Sequence, residues 1–240
     1  MATDDLARRL VEVRGSTERL LADLRDPPRD DARLREPSLL PGWSRAHVLS
    51  HLARNAEALA RTCAGAIRGE IVPMYAGEQE RAADIEAGAG KDAAALVDEV
   101  ASTAAGLDEL WSSMTAEDWE GRARTRLGVV PARRLIGSRW REVEIHRVDL
   151  DEGYGPGDWP ASFVAPLLPS LMDPEQLWPR LPRGTEIEVT DIDSGQVWRV
   201  GEGTRVKVAG PGYALVGWLL GRTAAVRSEL GEPPELAPWL

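Results

Sequence analysis

Arg139-Trp140-Arg141-Glu142-Val143-Glu144-Ile145-His146-Arg147-Val148-Asp149-Leu150 is the stretch on which the fold of this chain turns. Leu135, Ile136, Val143 and Leu150 recur around it at helical spacing. A helix that starts near Pro131, a favoured first helical residue, and ends near Glu152-Gly153 contains it all. Glu142 and His146 then leave one helix face about one turn apart, close enough to grip one metal ion together.

Upstream, a second helix is clearly marked. Pro41-Gly42 forms a turn, Ser44 is a good N-cap, and Trp43 can staple against Val48. The helix is expected from about Arg45 to Ile67, with Gly69 closing it. It carries two of the chain's three histidines, His47 and His51; the third is His146. His51 sits among Val48, Leu49 and Leu52 and so faces inward. His51, Asn55, Ala58 and Thr62 share a polar or small stripe that leaves room for a ligand. His47 falls in the first turn, where it is solvated or supports the cap. Two more long helices are expected over about 4–25, stopped by Asp26-Pro27-Pro28, and 91–114, with a shorter one over about 78–86. Four long helices suggest an up-and-down bundle, an architecture that builds metal sites from inward-facing Glu and His.

Two His and one carboxylate suit a divalent metal such as zinc, and three protein ligands leave a position open for water, thiol or substrate. The same residues have ordinary readings. Glu142 and His146 are equally an ion pair on a charged helix beside Arg139, Arg141, Glu144 and Arg147. A core histidine bonded to a carbonyl is the plain reading of His51.

The composition changes at Gly153-Tyr154-Gly155-Pro156-Gly157-Asp158-Trp159-Pro160, which reads as a linker. A helix over about 161–172 follows. Strands are expected at 186–191, 196–200 and 205–209, the first two joined by a hairpin at Asp193-Ser194-Gly195. A last helix over about 211–221 leads to Arg222, where an Arg often only complements the helix dipole. The chain is thus α+β, with a helical domain at 1–154 and a small α/β domain at 160–240.

The net charge of −10 and pI near 4.9 argue against nucleic acid or an anionic membrane as partner. A small anion would need a locally placed Arg or a metal. The one cysteine, Cys63, excludes an internal disulfide and a cysteine-based zinc site and reads as a small core residue. The acidic start lacks an apolar signal core, and no apolar run reaches membrane-spanning length, so a reducing cytoplasm is expected.

The segment from Leu39-Leu40-Pro41-Gly42-Trp43-Ser44 through His51 to Asn55 resembles the metal-binding helix of the mycothiol-dependent maleylpyruvate isomerase family. Pro73-Met74-Tyr75 resembles its following loop, and residues 139–150 resemble its second metal helix. Gly221-Arg222 and the ending Pro238-Trp239-Leu240 have counterparts there too. The resemblance implies a DinB-like four-helix bundle followed by a sterol-carrier-like α/β domain. It implies metal ligands at His51, Glu142 and His146 and a catalytic Arg at Arg222. It also implies mycothiol as thiol cofactor, with cis-trans isomerisation of maleylpyruvate by thiolate addition, bond rotation and elimination. A mycothiol S-transferase on the same metal scaffold, or a non-catalytic metal-binding regulator, is the alternative. Arg81 and Tyr75, near the Pro73 loop, are left unassigned as possible partners of the sugar-like part of mycothiol.

Overall fold

The structure, a computed structural model, describes residues 3–125, 128–223, 226–229 and 231–238. Trp239 and Leu240 of the C-terminal motif lie outside the described residues. The chain divides into two compact units, Met1–Asp151 and Glu152–Leu240. The first is helical and the second carries a small sheet, the α+β arrangement expected from the sequence.

The long helices of the first unit are α1 (Thr3–Arg25), α3 (Arg45–Ile67), α5 (Ala93–Ser113) and α7 (Arg134–Asp149). Short helices α2 (Asp31–Arg35), α4 (Glu78–Ala89) and α6 (Ala116–Glu120) lie between them. The helical period aligns Leu20, Leu24, Leu49, Leu52, Leu96, Val100 and Val143 into one core. The helices do not neighbour one another in simple chain order. Among the long helices, α1 and α3 each pack on α5 and α7, so α1 lies diagonally to α3 and α5 to α7, unlike a plain up-and-down bundle. The reason is the segment between α1 and α3, which crosses an end of the bundle and is fastened to the end of α7. Leu39 N–H donates to Asp149 O (2.9 Å). Buried Arg45 donates to Leu150 O (2.6 Å), Asp151 O (3.1 Å) and Arg33 O (3.2 Å) and pairs with Glu36.

The fourth long helix starts later than Pro131. Pro131 instead ends strand β2 (Gly128–Pro131), which pairs antiparallel with β1 (Arg122–Thr125). Val129 and Val130 favour a strand over a helical turn, and a strand end tolerates the missing proline N–H. Ala132 and Arg133 then turn the chain, donating to Gly121 O (2.8 Å) and Trp119 O (3.0 Å).

α7 packs against both α1 and α3, so it has two buried faces. Its charges are consequently not a solvated surface. Arg139, Glu144 and Asp149 are almost fully buried. Glu144 accepts from Ser16 Oγ, which in turn accepts from Trp140 Nε1 (3.0 Å). Arg147 donates to Asp23 (2.7 Å).

In the second unit, α8 (Ala161–Leu171) packs on α10 (Gly212–Leu219), and α9 (Pro174–Leu177) precedes the sheet. The sheet comprises β3 (Thr185–Asp191), β4 (Val197–Gly201), β5 (Thr204–Gly210) and β6 (Arg227–Ser228), in the order β4-β3-β5-β6. The β3–β4 pairing is antiparallel and holds the expected hairpin; β3 and β5 are parallel. The chain therefore passes from β4 to β5 over the start of β3, using only Glu202 and Gly203 as linking residues. This explains the glycines there. Gly201 and Gly203 have φ of +95° and +121°, and a Cβ at Gly203 would stand 2.1 Å from Gly184 O.

Gly203→Ala is expected to lower stability by about 2 kcal/mol or more, through positive-φ strain and collision with fixed backbone. Gly106→Ala is the control: it has open space around it within α5 and should be neutral or stabilising by up to about 1 kcal/mol. Equilibrium denaturation of both variants measures this. An unmoved midpoint for Gly203→Ala would contradict the crossover argument.

Candidate metal centre

Two helices build the site. On α3, Ser44 is the N-cap, and the first turn positions His47 beside it: Ser44 N–H donates to His47 Nδ1 (3.2 Å), and Ser44 Oγ lies 2.7 Å from the same nitrogen. The other ring nitrogen of His47 meets Glu86 of α4 at 3.0 Å. His47 is thus occupied in capping and in holding α4. One turn further along, His51 points into the first unit and is 4% exposed.

On α7, Glu142 and His146 face His51. Glu142 Oε2 lies 2.9 Å from His51 Nε2 and 3.2 Å from His146 Nε2. The two imidazoles meet edge to face, with centroids 4.7 Å apart. One potential ligand atom from each of the three residues falls within 4.8 Å of the others. The three residues expected as ligands are therefore brought together. His51 is buried, whereas 30% of the Glu142 side chain stays exposed, so the cluster opens on the Glu142 side.

The surrounding groups fix these side chains. His146 Nδ1 faces buried Asp149 Oδ2 at 2.8 Å, the carboxylate–imidazole pairing that orients a metal-binding histidine, here with Nε2 turned toward Glu142. Trp43 packs on His51, ring centroids 5.6 Å apart. Below this layer, Arg139 Nη1 donates to Leu52 O (2.8 Å) and Asn55 Oδ1 (2.9 Å). The stripe that continues from His51 through Asn55 is thus closed by Arg139 rather than left open. Thr62, also on it, bonds Ala58 O of its own helix (2.8 Å). Tyr75 and Arg81 stand at the edge: Arg81 Nη2 is 3.2 Å from His51 Nδ1, and its guanidinium lies 5.4 Å from the Tyr75 ring centre.

The electrostatics follow from burial and pairing. Burial pushes the Glu142 carboxyl up, but hydrogen bonds from His146 and His51 outweigh it and hold the group well below the usual carboxylate range. Burial pushes His51 down despite Glu142. For His146, burial opposes the charge, but Asp149 and Glu142 together raise it to about 9. Two imidazole nitrogens and an ionised carboxylate oxygen are the donors that zinc-like ions take. With Asp149 behind His146, the set fits a divalent ion with an open coordination position.

Arg222 belongs to the second unit. It follows α10, is partly exposed, and donates from Nη1 to Leu220 O (2.5 Å). Cys63 is buried in the first unit, accepts from Trp111 Nε1 (3.4 Å), and has its thiol pushed up to about 11 by burial; it is a core residue. The sequence reading missed Asp149 and Arg139 as parts of the site. Their i+3 and i−3 spacing from His146 and Glu142 was the available signal.

The sequence model of the family described as "Mycothiol maleylpyruvate isomerase N-terminal domain" matches residues 3–151. No curated protein matches the chain. Two solved structures resemble it over 100% of both chains, each with 31% identity and a TM-score of 0.89. One is described as the crystal structure of the mycothiol-dependent maleylpyruvate isomerase, the other as that of its histidine-to-alanine mutant. With well over half of its residues matched by the family model and its whole length shared with these structures, the chain belongs to the mycothiol maleylpyruvate isomerase family.

Proposed function

We propose that this chain is a mycothiol-dependent maleylpyruvate isomerase, converting maleylpyruvate to fumarylpyruvate. The observation that carries the reading is the convergence of His51, Glu142 and His146 in a chain that is similar to a solved isomerase from end to end. In this reading the three residues hold one divalent ion, with zinc the ion that best suits two imidazoles and a carboxylate. When bound, the metal stabilises the mycothiol thiolate at neutral pH, and the thiolate supplies addition to the cis double bond and, after rotation, elimination.

The chain's own residues prepare that chemistry. Asp149 sets the His146 ring so that Nε2 faces Glu142 and would meet an ion held there. Glu142 is held ionised by its pairing with both imidazoles; binding an ion would displace the protons on the two Nε2 atoms and so free all three side chains to coordinate. The contacts of Arg139 with Leu52 and Asn55 tie α7 to α3, and Trp43 packs on His51. Arg222 is assigned to a substrate carboxylate, which its planar fork can bind through two parallel hydrogen bonds. A chain of net charge −10 needs such local cations to attract a dianion. The cytoplasm is the assigned compartment, where Cys63 remains a thiol.

Metal content tests the ligand set. His51→Ala and His146→Ala should lose most of about one bound ion per chain, while His47→Ala should keep it, since His47 serves the helix cap. Asp149→Asn should weaken metal affinity by about 10–100-fold. Elemental analysis and chelator competition read all four. Full metal in His146→Ala, or loss in His47→Ala alone, would overturn the assignment.

Turnover tests the reaction. Maleylpyruvate should be isomerised only when mycothiol is present, and a chelator should stop it. Arg222→Lys should lose much of the rate and Arg222→Ala at least as much, on the order of 10²–10³-fold, with metal content unchanged in both. Near-normal rates in Arg222→Ala would remove that residue from the mechanism. Thiol transfer to other electrophiles without isomerisation would favour the S-transferase reading, and metal binding without any turnover the regulatory one.

A further inference from the structure

Arg81 closes the first turn of α4, its N–H donating to Gly77 O (3.1 Å). A cation there opposes the helix dipole, and α4 is fastened without it: Ser50 Oγ donates to Ile85 O (2.8 Å), and Glu86 meets His47. The half-buried guanidinium has no carboxylate partner among the described residues. It lies 5.4 Å from the Tyr75 ring centre, and its Nη2 is 3.2 Å from His51 Nδ1. A guanidinium only donates, so Nδ1 has to accept, and the single ring proton of His51 sits on Nε2, toward Glu142. That arrangement is incompatible with His51 as a metal ligand. If Nε2 coordinates, it gives up its proton, and the neutral ring then carries its proton on Nδ1, which can no longer accept. If Nδ1 coordinates, its lone pair is spent. On either nitrogen, a bound ion and the Arg81 hydrogen bond exclude each other.

We propose that Arg81 is a metal-gated carboxylate receptor: it holds His51 Nδ1 when no ion is bound, and metal loading releases it to bind a carboxylate of the substrate at the edge of the centre. This rests on the reading of His51, Glu142 and His146 as ligands of one ion. Three observations favour it. The released guanidinium has no protein carboxylate to turn to among the described residues, so an anionic oxygen of a ligand is its strongest partner. The cation–π contact with Tyr75 keeps Arg81 at the edge of the cluster once its bond to His51 is broken. The maleylpyruvate dianion brings two carboxylates, and Arg222 is assigned only one of them. The consequence is an order of events: the ion has to be in place before Arg81 can receive the anion.

Calorimetric titration of the full-length protein with maleate, a dicarboxylate probe used without mycothiol, tests this beside zinc affinity and NMR of the histidine ring nitrogens. In metal-free protein the His51 proton should reside on Nε2; a proton on Nδ1 there overturns the proposal. Zinc-loaded Arg81→Met should bind maleate at least tenfold more weakly than zinc-loaded wild type. Arg81→Lys, which keeps the charge but not the planar fork, should lose affinity too. Arg81→Met should hold zinc at least as tightly as wild type, because nothing then competes for Nδ1. Weaker zinc in that variant makes Arg81 a support of the ligands and overturns the proposal. So does unchanged maleate affinity in Arg81→Met, or no maleate binding by zinc-loaded wild type at millimolar concentration. Failure of wild type to bind zinc is a different result: it overturns the ligand assignment itself, and the role of Arg81 with it.

Discussion

α7 can be buried on two sides only because the charges it takes inside meet partners on neighbouring helices. Arg139 reaches the backbone and Asn55 of α3, Glu144 reaches Ser16 of α1, and Arg147 reaches Asp23. A buried charge whose partner is removed costs about 3–5 kcal/mol, so these pairings fix how α7 sits between α1 and α3. The position of Glu142 and His146 opposite His51 follows from that placement. The metal-ligand geometry is therefore a result of how the polar groups of one helix are satisfied, rather than of the three ligands alone.

Asp149 joins the site to the fold. Its side chain holds His146 Nδ1, while its carbonyl accepts from Leu39 in the segment that crosses the bundle. Arg45, at the first turn of α3, grips Leu150 and Asp151 immediately beyond. The start of the helix bearing His51 and the end of the helix bearing His146 are thus tied together through the same few residues. Relative sliding of the two helices, which would separate the ligands, has to break several buried hydrogen bonds at once.

Much of this was legible in the residues. Ser44 as N-cap, the helix Arg45–Ile67 and the hairpin between β3 and β4 carry strong local signals: a cap, a hydrophobic period, a turn tripeptide. The spacing of Glu142 and His146 and the inward phase of His51 singled out the cluster. What was not legible depends on tertiary packing. Arg139, Glu144 and Arg147 read as surface charges because nothing local reveals that α7 has two buried faces. The diagonal placement of α1 and α3 depends on Leu39 and Arg45 meeting the end of α7, more than a hundred residues away. Pro131 was read as a helix start because its missing N–H suits that position as well as a strand end, and only the pairing of Val129 and Val130 with β1 decides between them.

The crossover in the second unit constrains how that sheet can open. Gly201 pairs with Glu186 of β3, and Thr204 with Thr185, so the backbone from Gly201 to Thr204 spans two inter-strand spacings, about 9.6 Å. Three Cα–Cα steps reach at most roughly 11 Å, and the link is close to taut. A strap of that length cannot lift away to release the strand beneath it. The start of β3 can leave the sheet only after β4 or β5 has first let go, which makes the three strands a single cooperative unit and leaves no slack for losing even one residue between Gly201 and Thr204.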